Sequence, residues 1–152
     1  MTDDELVDAF ITASRALLGV AVRSLAASPV ALTPPQHRAL VLVASGRADT
    51  VGTLQEHLGI NQSNVSRLVE RLARLGLVER ERSSQDARTV LIRLTSLGRQ
   101  ALDAVTRTRR DEVARVLSAM TEGDRADALR VMRAFDAAAR ETRDAAWPVA
   151  EG

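Results

Sequence analysis

Two short helical segments separated by a tight turn restrict most strongly what this chain can fold into. The first covers Val51–Leu58 and the second residues 62–75, with Gly59-Ile60-Asn61 between them. Glycine adopts the left-handed conformation that ends a helix at no steric cost, and an asparagine side chain accepts a hydrogen bond from the first turn of the next helix. The spacing therefore predicts a helix-turn-helix.

The apolar pattern changes after Gly76 from a helical period to an alternating one. Residues 77–82 and 89–94 are predicted to be short strands, and the polar residues 83–88 between them are rich in turn formers. Two strands joined by such a loop, directly after a helix-turn-helix, predict a wing. Residues 33–95, which include the helix before the helix-turn-helix, are called the winged-helix unit below.

Longer helices are predicted on both sides of the helix-turn-helix and wing. One covers residues 3–27, and another begins at Thr33-Pro34-Pro35-Gln36, which has the pattern of a capping box with proline in the first turn, and runs to Gly46. A long helix over residues 96–120 follows the wing, and a last one begins near Thr121. Their apolar positions recur at helical spacing, which predicts one buried face on each.

Composition agrees with a helical core. The 152 residues are 45% hydrophobic but only 2% aromatic, so the core must consist of leucine, valine and alanine, which suits packed helices. We therefore predict a single domain over residues 1–152, mainly α with a small β wing. It is a winged helix-turn-helix over residues 33–95, flanked by N- and C-terminal helices.

Several classes of site are excluded by the residues present. The sequence contains no cysteine, so disulfides, thiolate metal sites and thiol-based redox sensing are excluded. His37 and His57 lie too far apart in the chain to form a ligand motif, so no metal site is predicted. The first residues are acidic where a signal peptide is basic, and no apolar run has the length of a membrane span. We expect a cytoplasmic protein with no membrane contact.

Positive charge is concentrated in the middle of the chain, although the net charge is only +1. Residues 61–99 carry eight arginines and four acidic residues, whereas residues 1–30 carry four acidic residues and two arginines. This distribution is expected when the middle segment faces the phosphates of a nucleic acid.

Several motifs in this order resemble those of the MarR family of transcriptional regulators. In chain order they are Leu32-Thr33-Pro34-Pro35-Gln36, residues 54–59, residues 62–72, Leu75-Gly76-Leu77-Val78-Glu79-Arg80, Asp86-Ala87-Arg88, and Leu94-Thr95 with Gly98-Arg99. The resemblance spans residues 33–102. It implies a repressor that binds double-stranded DNA sequence-specifically, acts as a homodimer on a bent palindromic operator, and is released by a small anionic or phenolic effector.

The resemblance also identifies candidate DNA contacts. The second helix of the helix-turn-helix carries short polar groups and arginines that suit base edges in the major groove. These residues are Gln62, Ser63, Asn64, Ser66, Arg67 and Arg71. At the wing, the Asp-x-Arg pattern implies that Arg88 borders the minor groove, and we interpret Asp86 as a partner that orients a nearby arginine. Ser83 and Ser84 complete the predicted wing contacts.

The terminal helices are predicted to form the dimer. Their broad apolar faces predict a two-fold interface built from residues 3–27 and 105–147, with Trp147 as a packing or dimer contact. The resemblance implies an effector cleft between the second helix and these dimerisation helices. His37 and Leu40 are therefore candidates for binding an anionic effector.

Two other classes of function were considered. An enzyme needs a nucleophile with a base, a carboxylate pair, a phosphate loop or a metal cluster, and none of these patterns is present in the sequence. We therefore expect no enzymatic activity and no cofactor. The alternative that stays open is a helical dimeric scaffold that binds proteins without specific DNA binding. The excess of arginine in the middle segment favours DNA.

Overall fold

The computed structural model describes residues 2–140, which form six α-helices, a short 3-10 turn and one two-stranded sheet. In chain order the elements are α1 (Asp3–Ser24), the 3-10 turn (Leu25–Ala27), α2 (Pro34–Ala44), α3 (Val51–Leu58), α4 (Gln62–Arg74), β1 (Val78–Arg82), β2 (Val90–Leu94), α5 (Ser96–Leu117) and α6 (Glu122–Ala139). The predicted mainly α fold with a β wing is confirmed. No helix in this part of the chain is long and apolar enough to cross a membrane.

Polar side chains begin the helices where the sequence predicted. The Thr33 hydroxyl accepts the N–H of Gln36, and the Gln36 side chain accepts the N–H of Thr33 at 2.9 Å, which completes the capping box. Asn61 accepts the N–H of Asn64 at 2.9 Å, and Gly59 ends α3 with a φ of +66°. Each cap satisfies N–H or C=O groups that have no partner inside the helix. The predicted helix-turn-helix is confirmed.

One apolar core joins α2, α3, α4, the wing and the start of α5. Its fully buried large side chains are Leu40, Leu42, Leu54, Val65, Val69, Leu72, Leu77, Ile92 and Leu102. Helix α4 contributes three of these residues, spaced three or four apart, so one face of that helix is buried. The opposite face of α4 is therefore turned to solvent.

Some predicted boundaries and burials were wrong. Helix α1 ends at Ser24 and is followed by the 3-10 turn, and α5 ends at Leu117 instead of residue 120. Val90 lies on the same face of β2 as Ile92 but is 43% exposed, because it pairs with Arg82 at the far end of the wing, beyond the core. Residues 141–147 of the predicted dimerisation segment, with Trp147, lie outside the described residues.

The late part of α5 and the whole of α6 are also more exposed than their apolar spacing predicted. Val116 is 62% exposed and Phe135 is 50% exposed. Helix α6 has no buried residue in the described chain, although Phe135 stacks on Phe10 of α1 with 4.9 Å between the ring centroids. The apolar faces of these helices are therefore not covered by other parts of residues 2–140.

The wing is fixed to the start of α5 by main-chain contacts. The two strands pair antiparallel, with Val78 opposite Leu94. The N–H of Thr95 donates to the carbonyl of Leu77 at 3.1 Å, and the Thr95 hydroxyl caps α5 by accepting the N–H of Gly98. Gly98 packs directly on the Leu77 carbonyl, where a Cβ atom would overlap the oxygen. The absence of a side chain at Gly98 allows this close approach.

We predict that Gly98→Ala destabilises the protein by at least about 2 kcal/mol, because the added methyl group meets backbone that cannot move aside. Urea unfolding at fixed protein concentration measures the change. Gly52→Ala in α3 is the matched control, since its Cβ would lie 3.9 Å from the nearest atom. We expect that control to be neutral or to stabilise by up to about 1 kcal/mol. Equal unfolding midpoints for the two variants would contradict the prediction.

Candidate nucleic-acid interface

The polar residues predicted on α4 lie together on its solvent side. Gln62, Ser63, Asn64, Arg67 and Arg71 are exposed, and Ser66 is half-buried. The three apolar residues that alternate with them are each no more than 1% exposed. Because one face of α4 is buried, the short polar groups and arginines on its other face together form a surface exposed to solvent.

The first turn of α4 contains a hydrogen bond that the sequence did not predict. The side-chain Oδ1 of Asn61 accepts the Ser63 hydroxyl at 2.8 Å, in addition to the N–H of Asn64. Because the Ser63 hydroxyl gives its proton to Asn61, its free lone pairs are acceptors. Ser63 is therefore suited to accept from an exocyclic amino group, such as N6 of adenine or N4 of cytosine.

The arginines of α4 form no ion pair within residues 2–140. Arg67, Arg71 and Arg74 are all exposed, and no acidic side chain in that part of the chain lies within salt-bridge distance of them. An unpaired guanidinium offers a planar set of donors that matches either guanine O6 and N7 or a phosphate. Arg74 was not selected from the sequence, although its position seven residues after Arg67 signalled the same helix side.

The wing tip is ordered by Asp86. Its carboxylate accepts the main-chain N–H of Arg88 at 3.0 Å and the Thr89 hydroxyl at 2.9 Å. The hydroxyl of Ser83 accepts the N–H of Gln85 at 3.2 Å, which adds a second small turn. Ser84 is exposed at the tip. The loop therefore has a defined shape although it lies in solvent.

Asp86, interpreted from the sequence as a partner that orients a nearby arginine, contacts the main chain of Arg88. Its partner at Arg88 is the main-chain N–H, because a carboxylate in a tight turn reaches the N–H two residues later more readily than a long side chain. The N–H of Arg88, followed by the Thr89 hydroxyl, lowers the pKa of Asp86 below its ordinary value. The Arg88 guanidinium has no acidic partner among the described residues and extends into solvent.

The strands of the wing carry further arginines with different surroundings. Arg93 donates to Glu81 on the opposite strand at 2.9 Å, so its charge is matched. Arg80 and Arg82 lie on the other face, opposite Ile92 and Val90 in the register, and have no ion pair in the described chain. The sequence analysis counted both arginines in the charge excess and Arg80 in a family motif, but selected neither as a DNA contact. Both follow Val78 at intervals of two residues, and in a strand this spacing indicates that they share a face with it.

The two candidate effector residues lie in different surroundings. His37 is 8% exposed and its Nε2 atom has no hydrogen-bond partner. Burial, then the charge of Arg109 and of Arg38, lowers the pKa of His37 to about 4, so the imidazole is neutral at pH 7. Leu40 is fully buried in the apolar core of the winged-helix unit and offers no surface to a ligand in this arrangement. Within residues 2–140, no cluster of His, Cys, Asp or Glu has the size of a metal site.

Comparison with known proteins finds the same fold and related sequences. The sequence pattern of the MarR family matches residues 32–89. The solved structure of RV1404 from Mycobacterium tuberculosis is 33% identical, with a TM-score of 0.85, over 95% of this chain and 98% of that one. A solved MarR family protein from Bacillus stearothermophilus is 26% identical, with a TM-score of 0.81, over 93% and 99% of the two chains.

Curated sequences match over a shorter stretch. The organic hydroperoxide resistance transcriptional regulator of Bacillus subtilis is 36% identical over 67 residues, which are 44% of this chain and 46% of that regulator. The chain spans less than half the length of the curated relatives that it matches. Similarity in sequence to these relatives is therefore partial, whereas similarity in fold to the solved structures extends over nearly their whole length.

We predict that the order of the wing tip depends on the charge of Asp86. Because folding lowers the pKa of this carboxyl below 3.8, the two hydrogen bonds persist at and above that pH and are lost as the pH falls through the lower, folded value. The amide resonances of Arg88 and Thr89, followed by NMR against pH, should therefore move only below pH 3.8. Asp86→Ala should shift them at every pH, and Ser84→Ala is the control. Titration of the Arg88 amide above pH 3.8 in the unaltered chain would argue against this role.

Proposed function

This chain belongs to the MarR family of transcriptional regulators, and we propose that it binds double-stranded DNA sequence-specifically through α4 and the wing. The observation that carries the proposal is the division of α4 into a buried apolar face and an exposed face with unpaired arginines and short polar groups. A helix of this kind fits the major groove, where every base pair presents a distinct pattern of donors and acceptors.

Within this proposal, residues near the start of α4 contact bases. Gln62, Ser63 and Asn64 occupy its first turn, where short side chains approach base edges in helix-turn-helix proteins. Arg67 lies one turn further, and we assign it to a guanine or to a neighbouring phosphate. Ser66 and Arg71 complete the proposed contact surface of α4.

The wing is proposed to contact the adjacent minor groove through Arg88. A narrow minor groove has an enhanced negative potential that attracts arginine. The negative charge of Asp86 opposes this attraction less than a free carboxylate does, because two donors of the loop already bind it. Ser83 and Ser84, together with the unpaired Arg80 and Arg82, are proposed to contact the flanking phosphates.

We propose a homodimer formed by the flanking helices. Large apolar side chains on α1, on the last turns of α5 and on α6 are exposed in the single chain: Leu6, Val7, Ile11, Leu17, Leu18, Val22, Val116, Leu117, Leu129, Met132 and Phe135. A continuous apolar surface of this size marks an interaction site, and a second copy offers the same surface in return. A two-fold dimer presents two copies of α4, so the proposed operator is palindromic.

Repression and effector release are the finer parts of the proposal. A dimer bound across a promoter blocks transcription directly, so we propose that the output is repression.

A small anionic or phenolic effector is proposed to bind beside His37, whose buried Nε2 lacks a partner and which lies in the positive field of Arg109 and Arg38. Such an effector must bind the DNA-incompetent arrangement more tightly than the competent one. Thiol oxidation is not part of the proposal, because these 152 residues contain no cysteine.

We predict a dimer at micromolar concentration by light scattering. Phe135→Asp places a charge where the apolar surface of α6 is 50% exposed and should therefore weaken association strongly. Arg125→Ala, on the same helix, is the matched control and should leave the dimer intact. A monomeric mass for the unaltered chain at that concentration would contradict the proposed dimer.

The two proposed arginine contacts should have separable effects on DNA binding. Arg67→Ala should weaken binding to a selected operator by about 1–3 kcal/mol and relax the preference at one base position. Arg88→Ala should weaken binding most on operators with A/T-rich flanks, where the minor groove is narrow. Fluorescence anisotropy with matched duplexes, chosen by selection from a random pool, measures both effects.

Salt dependence tests the alternative of a protein-binding scaffold. DNA binding releases counterions, so the affinity for duplex should fall steeply with salt, and each arginine variant that removes a phosphate contact should reduce that slope by about 1. Asp111→Asn, at an exposed acidic residue of α5, is the control for a charge change outside the helix-turn-helix and the wing. Weak duplex binding that does not respond to salt would favour the scaffold.

A further inference from the structure

The loop between α2 and α3 contacts three other elements of the fold. The Arg47 guanidinium donates to the main-chain carbonyl of Arg140, the residue that ends α6, at 3.0 Å. The carbonyl of Asp49 accepts the N–H of Ile92 in β2 at 2.6 Å, and the N–H of Asp49 donates to the Thr53 hydroxyl of α3 at 3.1 Å. The loop therefore joins the end of α6 to the wing and to the helix-turn-helix.

This loop is held rigidly between those contacts. Ala48 is 1% exposed and belongs to the apolar core. The N–H groups of Arg47 and Ala48 both donate to the carbonyl of Leu42, at 3.1 and 3.2 Å, so the turn after α2 is closed twice. Only Ala48 separates the residue that contacts α6 from the residue that contacts β2, a span of at most about 7 Å. A displacement at Arg47 is therefore passed to β2 through a short, packed stretch of backbone.

The contact at Arg140 has a clear physical basis. The last carbonyls of a helix lack partners and carry the negative end of the helix dipole, so a guanidinium is a favourable partner there. Arg140 has a φ of +55° and is the one described residue other than glycine in the left-handed region. Such a conformation persists in a residue with a side chain when surrounding contacts favour it. The left-handed turn directs the Arg140 carbonyl away from the helix and toward Arg47.

We propose that Arg47 is a positioning residue that fixes the angle between the end of α6 and the wing. Its side chain holds the Arg140 carbonyl, and its backbone leads through Ala48 to the Asp49 carbonyl that pairs with Ile92. This inference rests on the DNA binding proposed above. In a dimer joined through α6, this contact ties the wing to the end of an interface helix, in addition to the main-chain contact between the wing and α5.

The test compares DNA duplexes in which two preferred half-sites are set at different spacings. The unaltered chain should favour one spacing near a full helical turn of DNA. Arg47→Ala should lose about fivefold in affinity at that spacing and less at the others, so the preference becomes flatter. Arg47→Lys keeps a cation that can reach the carbonyl and should restore most of the preference. Arg140→Gly should behave as the unaltered chain, because the acceptor is main chain and glycine adopts a positive φ freely.

Arg107→Ala is the matched control, since it removes an equal charge from an exposed position of α5. A second readout needs no DNA: the NMR amide signals of Ile92 and Asp49 should shift in Arg47→Ala and stay unchanged in Arg107→Ala. If no duplex binds at any spacing, the proposed DNA binding fails while the amide signals still test the positioning role. Unchanged amide signals in Arg47→Ala, or an equal loss of affinity at every spacing, would overturn the inference.

Discussion

The burial of one face of α4 is the constraint on which the rest of the structure depends. Val65, Val69 and Leu72 are each at most 1% exposed, and removing each such side chain from water contributes about 1.5–3 kcal/mol. Successive residues of a helix are rotated by about 100°, so these three residues also determine which side chains face solvent. A shift of one residue in this packing would expose both valines and bury polar residues in their place, either Ser66 and Glu70 or Asn64 and Arg71. The chemistry of the exposed face is therefore decided by residues that lie away from it.

The winged-helix unit continues into α5 without a flexible linker. The Leu77 carbonyl accepts the N–H of Thr95 and also contacts Gly98. The wing and the start of α5 are therefore packed directly against each other. The other end of the fold is tied in a similar way, since Arg23 of α1 binds Glu112 of α5 at 2.7 Å and Arg109 donates to Ser24. Rigid helices joined by such contacts transmit changes in packing over their whole length. Helices α1 and α5 are thus joined to each other and to the wing by packed contacts.

Local chemistry made much of the fold predictable from sequence. Thr33, Gly59 and Asn61 act on groups within four residues of themselves, so their roles follow from residue type and spacing alone. The residues proposed for α4 and the wing could be selected in a similar way. In α4, the spacing of the apolar residues determines which side chains face solvent. The contact between Arg47 and Arg140, which are 93 residues apart, did not follow, and neither did the stacking of Phe135 on Phe10. These depend on the distances between elements, which no periodicity in the sequence records.

The exposed apolar surface of α1 and α6 has a consequence for how the amount of protein controls the response. On the proposed dimer, protomers below the dissociation constant are mostly single, and the concentration of paired protomers rises with the square of the total. Occupancy of an operator then changes more steeply with copy number than it does for a monomeric binder. A twofold dilution, as when a cell doubles its volume without new synthesis, would lower the concentration of the paired form up to about fourfold in that range. The strength of one hydrophobic interface would thereby set the protein concentration above which an operator becomes occupied.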